Sequence, residues 1–174
     1  MIKKLIIFLS LIFFSSKGFT LSIRVVDIEY LITENENFRN FITYIENDQT
    51  SHKKSFNKTE LELKNELQRI EKLKLILDDE ALNIEINGYN LKYLEFEKKI
   101  NEFNLHYENQ LNIYRNKIME NILNILKKYS LENNIDLILD SNNYIIALNT
   151  INITKKILIE LNKLNIEYKL EQYK

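Results

Sequence analysis

Two long stretches of this chain repeat their apolar residues at helical spacing. In the first, a seven-residue row runs Ile42, Gln49, Phe56, Leu63, Ile70 and Leu77. A second row, offset by four, runs Phe38, Ile45, His52, Thr59, Glu66 and Leu73. Two rows so placed form a coiled-coil seam. The polar members Gln49, His52, Thr59 and Glu66 weaken it, and the stretch 46–55 is polar nearly all round. Loose packing and a bend are expected there.

The second stretch carries the cleaner pattern. Tyr93, Phe96, Ile100, Phe103, Tyr107, Leu111, Tyr114, Ile118, Ile122, Ile125 and Tyr129 are ten steps over 36 positions, a mean of 3.6. That is one apolar face of a straight helix. Between the stretches, residues 77–90 hold an acidic cluster, several Asn and Gly88. A reversal of direction is expected near 78–88, although Ile84 and Ile86 could also continue a helix. The result is an antiparallel helical hairpin over 34–128, an arm of roughly 45 residues per helix and about 65–70 Å.

The flanks read differently. Residues 22–28, "SIRVVDI", form a short β-branched strand. Thr33 followed by Glu36 has the spacing of a capping box that would start the arm. After the arm, "IDLILD" (135–140) and "YIIALN" (144–149) read as two strands around the turn "SNN". Residues 152–166 form an amphipathic helix. The expected fold is therefore α+β but mostly α, a long helical-hairpin arm on a small β-rich body built from 22–33 and 129–166. So small a body buries little surface on its own. Its strands are nonetheless very apolar, and both faces of "IDLILD" need cover. A second copy of the chain would supply it, through Val25, Val26, Ile135, Leu137, Leu139, Tyr144, Ile146 and Leu148.

The first residues are not fold. Lys3 and Lys4 precede an apolar run from Leu5 to Phe14 and then small and polar residues. That order marks a secretory signal peptide, residues 1–18, with cleavage after Gly18, Thr20 or Ser22. The run is too short to span a bilayer. The mature chain is therefore expected to be exported.

Composition narrows the chemistry. There is no Pro and only two Gly, so little interrupts a helix. There is no Cys, which excludes disulfides, thiolate metal sites and thiol nucleophiles. Net charge is −1. Cutting after Gly18 removes Lys3, Lys4 and Lys17 and no acid, leaving 21 basic against 25 acidic residues and a charge of −4. Nucleic acid is thus not an expected partner. His52 and His106 have no ligand-spaced neighbour, and "DDE" (78–80) lacks the ordered spacing of a calcium loop. Asp136 and Asp140 suit turn and strand-end capping better than paired catalysis. No nucleotide-binding or hydrolase pattern occurs, so neither an enzyme nor a cofactor is expected.

In layout the chain resembles the Skp/OmpH family of periplasmic chaperones for outer-membrane proteins. The most specific stretch is residues 133–162, where Ile135, Asp136, Leu137, Ile138, Leu139 and Asp140 match the family's "xIDLVxD" pattern. The resemblance implies a homotrimer whose β bodies form a central barrel. Its three arms would enclose a cavity that holds unfolded outer-membrane β-barrel proteins without ATP. The 10 Tyr and 9 Phe are adaptable contacts for such clients. Phe56, Phe96, Phe103, Tyr107 and Tyr114 are the arm candidates, either lining the client cavity or forming the hairpin's internal seam. One departure is charge. Well-studied members have basic arms, and a basic pair they carry falls here on Asn109 and Gln110. That counts against a lipopolysaccharide site of the same kind, while contact with a membrane surface stays open. The other reading is a structural coiled-coil scaffold or spacer of the envelope, which would keep its N-terminus.

Overall fold

The computed structural model describes residues 21–173; the expected signal peptide lies outside them. The chain begins with a short strand, β1 (Ile23–Val26), followed by α1 (Ile28–Glu34). The arm follows as α2 (Glu36–Leu73) and α3 (Asp79–Glu132). A second strand, β2 (Leu137–Asp140), and a final helix, α4 (Thr154–Asn162), complete it. The protein is mostly helical, with α2 and α3 as an antiparallel hairpin and one small sheet.

The capping box at Thr33 does not form. Thr33 lies inside α1, where its hydroxyl donates to the Glu29 carbonyl at 2.9 Å. The helix is broken two residues later, at Asn35, whose backbone is extended. Its side-chain oxygen accepts from the Phe38 N–H at 3.1 Å and so caps α2. Asn competes well for this role because its short amide reaches the orphan N–H groups of the first turn. Asp27 starts α1 in the same way, accepting from the Tyr30 N–H.

The arm is longer and less symmetric than the pattern suggests. At 1.5 Å per residue, the 38 residues of α2 give about 57 Å and the 54 of α3 about 81 Å. The reversal occupies residues 74–78, before the expected stretch. The acidic cluster is the start of a helix: Asp78 accepts from the Ala81 N–H at 2.8 Å, with Asp79 and Glu80 in the first turn. Carboxylates there complement the helix dipole, and α3 runs on through Gly88 without a break. An added Cβ at Gly88 meets nothing within 4 Å. Gly88→Ala is therefore expected to stabilise the arm by about 0.5–1 kcal/mol. Urea unfolding followed by helical circular dichroism checks this, and an unchanged or lower midpoint contradicts it.

All twelve positions of the two seam rows, eleven in α2 and Leu77 in the turn, are buried or half-buried, the polar ones included. Helix α2 runs unbroken through 46–55. Instead of apolar knobs this stretch uses Asp48, which accepts from the Tyr107 hydroxyl at 2.6 Å, and the His52 ring, 5.8 Å from Phe103. Further out, Lys92 pairs with Glu66, and Arg69 with Glu85, across the arm. Exposed pairs of this kind set register more than stability.

At the arm's base, α1 and α4 flank the end of α3. Leu31, Ile32, Ile118, Ile122, Ile157 and Leu161 are each at most fractionally exposed and form one cluster. The body's core thus draws on α3 as far up as Ile118. β1 and β2 pair in parallel, from Ile23 opposite Leu137 to Val26 opposite Asp140. On its other edge β1 is bridged by Asn152, and the Ile153 N–H donates to the Val25 carbonyl at 2.9 Å.

This arrangement corrects the expected hairpin. "SNN" forms a single 3-10 turn that leads away from the sheet, and residues 144–148 form no strand. They do not join the outer edge of β2, which stays open, and β1 has no edge to offer because both of its edges are taken. Parallel pairing also demands a long crossover, and here the whole arm supplies it.

Candidate functional site: arm faces and the open edge of the body

The five aromatic candidates lie along the seam between α2 and α3. Phe56 packs edge-on to Phe96 and Phe103, with ring centroids 6.3 and 5.0 Å away. Phe103 packs on Tyr107 at 4.9 Å, and Tyr114 on Phe41 at 4.4 Å. Phe103, Tyr107 and Tyr114 are buried, Phe56 and Phe96 half-buried. Burial and the Asp48 carboxylate push the Tyr107 hydroxyl well above the usual phenol range, and burial pushes that of Tyr114 up to about 12. Both rings therefore stay neutral donors throughout the physiological range. In the closed hairpin these side chains hold the arm together.

A second apolar stripe lies on the opposite side of α3. Ile84, Leu91, Leu94, Leu105, Ile113 and Leu123 are each more than half exposed. At 100° per residue they fall within an arc of about 100°, roughly opposite Phe96, Phe103, Tyr114 and Ile118. Charged residues separate them: Lys92, Glu95, Glu97, Lys98 and Glu102. The stripe's steps of 7, 3, 11, 8 and 10 residues are each close to a whole number of helical turns. It was legible in the sequence, but the seam's continuous run of rings masked it.

The body presents a second open surface. Val25 (2% exposed), Val26 (1%) and Ile135 are buried inside the chain itself. They carry the sheet rather than face outward. Leu139 and Tyr144 are half-buried. Leu137, Ile146 and Leu148 face out, with Ile145, at 42%, 89%, 74% and 104% exposed. The outer edge of β2 has no strand partner among the described residues. An unpaired edge beside a fully exposed apolar segment is what isolated proteins avoid.

The two body aspartates cap, as their positions suggest. Asp136 accepts from the Ser22 N–H at 2.7 Å, while its own N–H donates to the Ser22 carbonyl. Asp140 accepts from the Ile28 N–H at 3.1 Å and from the Asn142 amide at 2.9 Å. Burial works to raise its pKa. The N–H groups of Ile28, Ser141 and Asn142 and the Asn142 amide outweigh it and hold the carboxyl below its usual range. Among the described residues no cluster of His, Cys, Asp or Glu is arranged to hold a metal ion. None of their helices is long and apolar enough to cross a membrane.

Comparison with known proteins gives two findings. Residues 22–161 match the model of the family described as outer membrane protein (OmpH-like). The fold is similar to the crystal structure of an OmpH-like protein from Caulobacter crescentus, described as a candidate outer membrane chaperone. Identity is 10% and the TM-score 0.62, over 88% of this chain and 92% of that one. No curated protein matches significantly.

Proposed function

The chain belongs to the OmpH-like outer membrane protein family, and from that premise we propose that it is an ATP-independent periplasmic holdase for unfolded outer-membrane β-barrel proteins. Exported by its N-terminal signal peptide, it keeps these clients from aggregating before insertion. The observation that carries this reading is the exposed stripe on α3. Six aliphatic side chains spread along some 60 Å (39 residues from Ile84 to Leu123) offer many weak contacts and no deep pocket. An unfolded β-barrel strand alternates apolar and polar residues, and a stripe interrupted by both signs of charge suits such a strand at many registers. Weak, multiple contacts add by effective concentration without fixing a single pose.

The body supports the assembly that such a holdase needs. Its open β2 edge and the segment 144–148 are satisfied when neighbouring copies pair edge to edge and bury Leu137, Ile146 and Leu148. Three copies is the number the family resemblance implies, with the stripes turned toward a shared cavity. A holdase works by binding alone, so neither cofactor nor catalytic group enters.

The test is dilution of a urea-unfolded β-barrel protein into buffer with a several-fold excess of the mature chain, read by light scattering and native mass spectrometry. Delayed aggregation and a client-bound assembly are expected. A variant carrying Leu91→Ser, Leu94→Ser and Leu105→Ser should keep its thermal midpoint and lose most of the protection. Full protection by that variant removes the stripe from the reading. No protection by the parent chain removes the reading, and leaves an envelope scaffold in its place.

A further inference from the structure

Beyond α4 the chain does not end on the body. It leaves Asn162, turns, and runs back up the arm in extended form to Tyr173. These residues lie past position 161, where the family match stops. The strap runs opposite in direction to α3. Ile166 sits at Tyr114, and Tyr173 at Phe103 and Lys99. The 11 to 15 residues of α3 between those points span about 17–22 Å, a distance that seven strap residues cover in an open, non-helical form, with a full reach of about 23–25 Å.

The way the strap is held is unusual for a chain end. Its backbone carbonyls accept from arm side chains: Leu164 from the Asn37 amide at 3.0 Å, Ile166 from the Tyr114 hydroxyl at 2.9 Å, and Glu167 from the Lys117 ammonium at 2.6 Å. The Glu171 carbonyl lies 2.6 Å from His106 Nε2, and the Glu171 N–H reaches Gln110 Oε1 at 3.5 Å. Bonds to main-chain atoms do not depend on which residue supplies them. From 166 to 171 the side chains alternate: Ile166, Tyr168 and Leu170 pack on the arm, Tyr168 with part of its ring exposed, while Glu167, Lys169 and Glu171 face out; the alternation ends there, since Gln172 is exposed and Tyr173 packs inward. The Tyr168 ring lies 4.9 Å from Phe41 and 5.2 Å from Tyr114. Tyr173 closes the far end, 5.5 Å from His52 and 5.3 Å from Phe103.

We propose that this strap fills a binding groove for an extended peptide with alternating apolar side chains, and that a client segment of that pattern displaces it. This inference rests on the holdase reading for its client. The groove itself does not. The strap is the groove's own evidence of ligand class: an extended chain, read through its carbonyls, with apolar residues at every second position and an aromatic ring at its end. Transmembrane β-strands have that alternation. The strap is also suited to leave. It has no helix or strand of its own, and segments without regular structure open at low cost.

The groove is tested with a chain ending at Glu167, which keeps Ile166 and its bond to Tyr114. The probe is a fluorescent peptide of residues 165–174. A tethered strap competes at an effective concentration of about a millimolar, so the shortened chain should bind the peptide at least about tenfold more tightly than the full chain does. A peptide of the same composition with its apolar residues grouped should bind at least about tenfold more weakly. A shortened chain that retains its helical content and ignores both peptides overturns the proposal. So does equal binding of the two.

Displacement is read separately in the full-length protein. The chain has no Cys, so Gln172→Cys gives a single spin-label site on an exposed strap position. Its spectrum should sharpen when an unfolded β-barrel protein is added. A label that stays immobile while aggregation is suppressed shows that clients bypass the groove, and overturns the client's part of the proposal. A label that mobilises on dilution alone marks a tail exchanged between copies, and overturns the assignment within one chain. Peptide binding without any protection from aggregation by either chain would instead count against the holdase reading and leave the groove standing.

Discussion

Ile146→Asp is expected to leave each chain folded and to abolish the assembly. Ile146 is 89% exposed in the single chain, so the substitution removes no contact on which the monomer depends. In the proposed assembly the same side chain is buried against a neighbour. Burying it contributes about 2 kcal/mol per copy, and a carboxylate in its place must either be desolvated or prevent the edges from meeting. Cyclic symmetry repeats that cost at every interface. Loss of about 3 kcal/mol per interface weakens each by more than a hundredfold. Analytical ultracentrifugation at micromolar concentration should show a monomer with parental helical content, and its thermal midpoint should no longer depend on protein concentration. An assembly of parental size would remove segment 144–148 from the interface. Protection of clients should fall with the assembly, since separate arms enclose nothing.

Asn35→Ala is expected to give the largest loss of stability among single polar substitutions. Asn35 is completely buried. Its oxygen caps α2 through the Phe38 N–H, and its amide donates to Asn162 Oδ1 at 2.8 Å. That same Asn162 oxygen accepts from the Glu36 N–H at 3.1 Å. One pair of amides therefore fastens the α1–α2 break to the end of α4. Losing the cap costs about 0.5–2 kcal/mol, and losing the amide bond in a buried place about 1–2 kcal/mol more. Together they lower the thermal midpoint by about 10 °C for a chain of this size. Asn35→Ser keeps a capping oxygen and loses only the bond to Asn162, so it should recover roughly half. A serine variant no better than alanine would show that the cap contributes little.

The helices were legible because their cause is local. Apolar spacing alone places both faces of the arm seam, down to the polar members Gln49, His52, Thr59 and Glu66, which turn inward with the rest. The two histidines go to packing, as their isolation suggests. What the sequence concealed is non-local. Thr33 and Glu36 have a capping spacing, but Asn35 wins because its partner, Asn162, is 127 residues away. "IDLILD" and "YIIALN" look like a hairpin, yet the first pairs in parallel with β1 and the second forms no strand and leaves the outer edge of β2 open. The strap is the least legible element. "NIEYKLEQYK" shows its alternation plainly, but only the fold reveals that a ring-lined groove lies under it. At the candidate client surface, the rings were conspicuous and are spent on the seam. The exposed aliphatic stripe uses ordinary leucines and isoleucines, which carry no chemical signature.

The parallel pairing of β1 with β2 also fixes an order of events. Ile23 and Leu137 are partners across 114 residues, with the entire arm between them. Contacts within the arm are helical or zip outward from the turn, from 16 residues apart at Arg69–Glu85 to 59 at Asp48–Tyr107, so all can form before β2 exists. The sheet cannot. The first strand is synthesised early and must wait, unpaired, until the last quarter of the chain has appeared. A product that ends between residues 132 and 137 has the arm and no β2 edge. In the proposed assembly such incomplete chains would lack the edge by which complete ones join.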